Sequence, residues 1–181
     1  MSTRIDQAAD RLEIEALIVE TAWLLDARDW TALAACYTPD GIVDYPYRGI
    51  TLPPLEWAEH AEVTLSAYEA TQHFVCNFVI NLRDDEAHSS AYVLAQHAGT
   101  PALAGLLHRE DGQPHQRAPR VLLGATWDDD LVRTDRGWRI SRRHTEIRWV
   151  DSDHVLRHPG ESPFAAVAST STQTRAGARP A

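Results

Sequence analysis

Three side chains in this sequence have the types and settings that proton chemistry on carbon requires. Asp26 closes the run WLLD, so its carboxylate is expected at the inner end of an apolar helix. Lost hydration there demands a partner such as a ring N–H; the alternative placement is a solvated residue near a helix end. His73, in ATQHFVCNF, opens a stretch in which Val75, Asn77 and Val79 would share its strand face. Histidine titrates near neutrality, and a carboxylate on one ring nitrogen leaves the other to take a proton from substrate at physiological pH. His97 ends SAYVLAQH on the face of Ala91, Val93 and Ala95, whose small side chains leave room. For His73 the ordinary alternative is a core or strand-end histidine satisfied by backbone groups.

Other chemistries find little support. Asp26, His73 and His97 would make a 2-His-1-carboxylate iron set only from three separate elements with no local motif, so no metal or other cofactor is expected. No GxSxG is present, which removes the nucleophile elbow of a serine hydrolase. All 17 basic residues are arginine, so the chain has neither a Schiff-base lysine nor a P-loop lysine. Cys36 and Cys76 stand alone and are expected as buried small hydrophobes. His108, His115, His154 and His158 fall in loops or the tail, where solvated surface is expected. The net charge of −9 is dispersed, with no basic stripe beyond RISRRH, which argues against a nucleic acid partner. No apolar run is long enough to span a membrane. The start MSTRIDQAAD lacks the apolar core of a secretory signal, so a cytoplasmic protein is expected.

Positioning these residues is a task for one domain, since 181 residues support a single core with an internal pocket. Ile5, Ala8, Ala9, Leu12, Ala16, Val19 and Trp23 recur at helical spacing and predict a long first helix from Ile5 to Leu25. A short helix over Trp30 to Tyr37 should stop at the Thr38-Pro39-Asp40-Gly41 turn signal, followed by a strand GIVDY. A third helix should begin after Pro53-Pro54 and run through LEWAEHAEVTLSAYEA. Beyond Ala70 the period changes to that of strands: HFVCNFVINL, AHSSAYVLAQH, RVLLGATWDDDLVRT and GWRISRRHTEIRWV form an antiparallel meander. Its hairpins turn at residues 83–86 and 134–137, and a long connection spans 98–119. DSDHVLR suggests a short helix that, with HPGESPF, folds over the pocket mouth as a lid; residues 168–181 read as a disordered tail. Helices first and strands afterwards give an α+β fold in which a cone-shaped antiparallel sheet wraps the helices and encloses a pocket.

With these residues in place, the chain resembles scytalone dehydratase and its SnoaL-like relatives in the superfamily named after nuclear transport factor two. The resemblance runs from Asp10 to Leu156, carried by LLDARDW, IVDY, TQHF, the histidine closing the next strand, and DRGW followed by EIRW. It implies an NTF2-like α+β barrel as a single SnoaL-like domain over residues 1–167. Asp26 and His73 match the family's carboxylate–histidine dyad, Tyr45 a tyrosine that polarises the substrate carbonyl, and His97 a second pocket histidine. Arg133 resembles an arginine that reaches the cavity in lindane dehydrochlorinase and bile-acid dehydratase relatives. The chain departs from the fungal dehydratase at Leu25, where that enzyme has tyrosine, and at Ala125 and Trp127, where it has serine and asparagine.

The resemblance implies a cofactor-independent lyase of secondary metabolism, a dehydratase acting on a cyclic polyketide-like or steroid-like ketone. His73, held by Asp26, would take the proton next to the carbonyl; Tyr45 would stabilise the oxyanion, and protonated His73 or His97 would assist loss of water. The same dyad would also serve isomerisation, aldol-type cyclisation or loss of chloride. A different class stays open as well, because this scaffold also builds non-catalytic partners such as dioxygenase β subunits. A homodimer or homotrimer through the outer sheet face fits the family.

Overall fold

The structure is a computed structural model and describes residues 3–66, 68–100, 118 and 120–152. Helix α1 (Arg4–Ala27) begins at a capping box in which the Thr3 hydroxyl accepts the Asp6 N–H and the Asp6 carboxylate accepts the Thr3 N–H, satisfying two otherwise orphaned donors. Its buried face is Ile14, Leu17, Ile18, Ala22 and Leu25. That is not the stripe expected from sequence: Ile5, Leu12 and Trp23 are exposed. Alpha1 is apolar on two faces, and the sheet takes the one rich in Ile and Leu. Asp29 caps α2 (Trp30–Ala35) by accepting the Ala32 N–H at 3.0 Å. This helix ends two residues earlier than expected, because Tyr37 already belongs to β1.

Strand β1 (Tyr37–Tyr45) runs straight through the expected Thr38–Gly41 turn. There the pairing with β6 shifts register between Tyr37 and Ile42, so Pro39 and Gly41 mark an irregularity within a strand. A 3-10 turn (Pro46–Arg48) and β2 (Ile50–Leu52) lead to α3 (Pro54–Leu65), which starts on proline as expected but stops short of Ala70. Strands β3 (Tyr68–Arg83), β4 (Glu86–Gly99), β5 (Arg120–Thr134) and β6 (Gly137–Ser152) form the expected antiparallel meander, with both hairpins as read. Asp151 and Ser152 extend β6 and so are not helical. The rest of DSDHVLR, the HPGESPF lid segment, residues 101–117 of the long connection and the tail lie outside the described residues.

The sheet order is β2-β1-β6-β5-β4-β3, with β1 joined in parallel to β6. The sheet curves without closing, its edges β2 and β3, and α1 packs against β3 while α3 packs on β1 and α2. This is the expected α+β architecture. Among the described residues no helix is long and apolar enough to cross a membrane. Cys36 is buried as expected; Cys76 is exposed, because it lies on the outer side of β3.

At the core of the sheet a buried ion pair joins β5 to β6. Asp129 and Arg143 are cross-strand partners, 1% and 2% exposed. Nε and Nη2 of Arg143 donate to the two Asp129 oxygens, both at 2.7 Å, and Nη1 donates to the Thr21 hydroxyl at 2.9 Å. The guanidinium lies 3.8 Å over the Trp127 ring. Burial works against its charge, but the Asp129 carboxylate more than offsets this and keeps Arg143 protonated. Removing one partner would strand the other charge without compensation. Asp129→Ala is therefore expected to lower stability by about 3 to 5 kcal/mol in chemical denaturation. The double change Asp129→Leu with Arg143→Met should cost less than that single one.

Candidate active site

The position of His73 depends on an irregularity in β3. From the hairpin inward, Leu82, Ile80 and Phe78 turn toward the core. Asn77 then takes φ 57°, and the pairing shifts from Val79↔Ser90 to Cys76↔Tyr92. One extra residue on this strand reverses which side chains face in. Val75, His73 and Thr71 now point inward, whereas Asn77 and Val79 are exposed, contrary to the uninterrupted alternation expected from sequence. Asparagine suits the site, since its short side chain tolerates the left-handed region.

Helix α1 supplies the carboxylate in its last turn and ends at Arg28 with φ 62°. Asp26 Oδ1 accepts from His73 Nδ1 at 2.7 Å and from the Thr71 hydroxyl at 2.8 Å; Oδ2 accepts the His73 backbone N–H at 2.8 Å. Arg28 Nη1 donates to the Thr71 hydroxyl at 3.0 Å and to the Leu25 carbonyl at 3.1 Å. Burial alone would raise the Asp26 carboxyl. The His73 ring, its charge when protonated, its backbone N–H and the Thr71 hydroxyl together outweigh that and hold it below the ordinary carboxylate range. An ionised Asp26 assigns the Nδ1–H tautomer to His73 and leaves Nε2 with its lone pair.

His73 faces a chamber of about 80 Å³, room for several waters. Leu25, Ala61, Leu65, Val93, Leu123 and Ile147 make its apolar walls. Leu25, Ala125 and Trp127, the three departures from the dehydratase pattern, all line it. Tyr45 enters from the end of β1, its ring 5.9 Å from Trp57. His97 is 3% exposed and meets His73 edge to face, ring centres 5.5 Å apart. Burial first, and the neighbouring His73 second, push its pKa down to about 3. His97 is thus a neutral ring at physiological pH and has no imidazolium proton to give a leaving group, a role open to it from sequence.

Arg133 is not in the chamber. It forms ion pairs with Asp10 and with Asp85, the latter at 3.2 Å, and lies 4.5 Å over Trp138, clipping α1 to the last hairpin. The arginine that lines the chamber is Arg143. Sequence reasoning also passed over His60 and Trp57 on α3, and Thr71 beside the dyad. Thr71 was in principle legible, since it sits two residues from His73 on one strand face. Among the described residues no group of three His, Cys, Asp or Glu side chains is arranged to hold a metal ion.

The SnoaL-like domain model matches residues 6–144. An uncharacterized protein of Mycobacterium tuberculosis is 29% identical over 140 residues, covering 77% of this chain and 86% of the relative. A Kribbella flavida protein superposes with TM-score 0.70 at 25% identity, over 87% of this chain and all of the other. A scytalone dehydratase-like protein of Novosphingobium aromaticivorans gives 0.66 at 20%, over 82% and 91%. Hexachlorocyclohexane dehydrochlorinase of Novosphingobium barchaimii gives 0.65 at 17%, over 83% and 94%.

Two outcomes follow from the site geometry. Thr71→Val removes one donor to Asp26 and one acceptor of Arg28, so stability should fall by about 1 to 2 kcal/mol, and the Asp26 carboxyl should titrate at higher pH by carbon-detected NMR. His97 titrates lower folded than unfolded, so its contribution is complete above the unfolded value of 6.5 and is lost as pH falls from there toward 3. Urea unfolding at pH 6.5 and pH 5 should show about 2 kcal/mol lost through this residue, a loss absent from His97→Phe.

Proposed function

This chain belongs to the SnoaL-like domain family, and we propose that it is a cofactor-independent lyase that eliminates water from a cyclic ketone. The observation that carries this reading is the 2.7 Å contact between Asp26 and the Nδ1 of His73 at the wall of a chamber lined mainly by apolar side chains. A non-catalytic subunit has no need of a desolvated carboxylate aimed at an imidazole. Asp26 fixes the tautomer and balances the charge that appears on the ring, while Nε2 takes a proton from the carbon next to the carbonyl. The oxygen that gains charge needs donors already in place. Tyr45 offers a hydroxyl. Arg143 has five N–H groups, of which three are committed to Asp129 and Thr21, leaving others for the chamber it lines.

Neighbours of this fold include a scytalone dehydratase-like protein and a dehydrochlorinase. Both names denote elimination from carbon, which supports the reaction class. The ring that bears the reacting carbon would enter from the open side of the chamber, whether it stands alone or belongs to a polyketide-like or steroid-like skeleton. For the homodimer or homotrimer we propose the outer sheet face, where Phe74, Leu94 and Trp149 stand exposed in one cross-strand row.

Loss of either dyad member should cost about 10² to 10⁴ in turnover and leave the fold intact. The apolar walls should still bind substrate in His73→Ala. Mass spectrometry of ligand retained by that variant, followed by its conversion on adding wild-type protein, checks both points. Turnover that persists in Asp26→Asn and His73→Ala overturns the reading.

A further inference from the structure

Loss of hydroxide from carbon is slow unless the departing oxygen receives a proton, so a lyase of the kind proposed above needs an acid as well as a base. We propose that His60 on α3 is that acid, donating to the leaving hydroxyl while His73 removes the proton from carbon. The inference rests on the lyase reading.

Helix α3 turns Trp57, His60, Ala61 and Thr64 toward the chamber, the spacing of one helix face. It packs on α2 and β1 rather than on β3, so His60 approaches the substrate from a different wall than His73. Its ring is oriented on two sides: it stacks on Trp57 with centres 6.0 Å apart and planes 26° apart, and Nε2 lies 3.4 Å from the Thr64 hydroxyl. The titratable and charged groups that share the chamber with it are Tyr45 from β1, His73 from β3, His97 from β4 and Arg143 from β6; α2 carries none. His73 is engaged as the base while the oxygen departs, and each of the other three is unsuited to the task. Arg143 is locked to Asp129 and keeps its proton, the His97 ring is neutral, and a phenol holds its proton far above neutrality. His60 is also half-buried rather than sealed, so it can recover a proton from solvent after each turnover.

The step balances without a cofactor. Nε2 of His73 takes the proton from the carbon next to the carbonyl, and that C–H pair becomes the new C=C. The bond from the β-carbon to oxygen breaks with its pair on oxygen, which takes the proton of His60 and departs as water. His60 is then reprotonated from solvent and His73 releases its proton there. A ring ketone with a β-hydroxyl becomes an enone plus water.

Leaving-group ability separates acid from base. 3-Hydroxycyclohexanone and 3-acetoxycyclohexanone both give cyclohexenone, but acetate leaves without a proton. Wild-type protein is expected to convert both, and His73→Ala neither. His60→Gln should be slowed about a hundredfold on the hydroxy ketone and stay within threefold of wild type on the acetoxy ketone. His60→Phe, which keeps the stack on Trp57, should repeat that split and controls for folding. Equal losses on both ketones in the two variants, or no loss on the hydroxy ketone, overturns the assignment of His60 while leaving the dyad standing. If wild-type protein converts neither ketone, or His73→Ala converts them as well as wild type, the lyase reading falls and takes this inference with it.

Discussion

A carboxylate taken out of water to serve an imidazole must be given back the hydrogen bonds that water supplied. Asp26 receives three, from the His73 ring, the His73 backbone N–H and the Thr71 hydroxyl. The Arg28 guanidinium stands behind Thr71. These groups come from only two pieces of chain, the carboxylate and Arg28 from the end of α1 and the three donors from the start of β3. The site therefore needs those two elements side by side, and the packing of α1 on β3 is the contact that brings them there. Much of the remaining fold, with its curved sheet and its α3 wall, serves to keep solvent from the other face of the imidazole.

The same logic appears at the other charged group inside the molecule. Arg143 is as deeply buried as much of the apolar core, yet it is forked onto Asp129, tied to Thr21 and flattened against Trp127. A guanidinium with so little freedom is held in one orientation where it lines the chamber. His97 illustrates the opposite solution. With small neighbours and the His73 ring beside it, the cost of burial is avoided by giving up the charge altogether.

Much of this could be read from the amino-acid order. Period and turn residues disclose the helices-then-meander plan, the residue types of Asp26, His73 and His97 single them out, and the family resemblance adds Tyr45. What stayed hidden depends on strand register. Counting back from the hairpin at 134–137, an uninterrupted ladder would set Asp129 opposite Arg142. An irregularity between Asp130 and Leu131 moves the pairing by one, and Arg143 takes the place instead. Nothing in RISRRH distinguishes which of its arginines is swallowed, and the family resemblance pointed to Arg133 instead. The face of α1 was hidden for a related reason: the helix offers two apolar stripes, and only the sheet it meets selects between them.

Asn77 has a similar effect on β3, and it bears on how the family is compared. The strand carries two messages in opposite phase, even positions for the packing core near the hairpin and odd positions for the chamber beyond it, with one residue as punctuation between them. A comparison that closes up that single position would assign the histidine to the solvent side. In this chain the number of residues between hairpin and histidine, and not only their identity, decides whether the base faces the chamber.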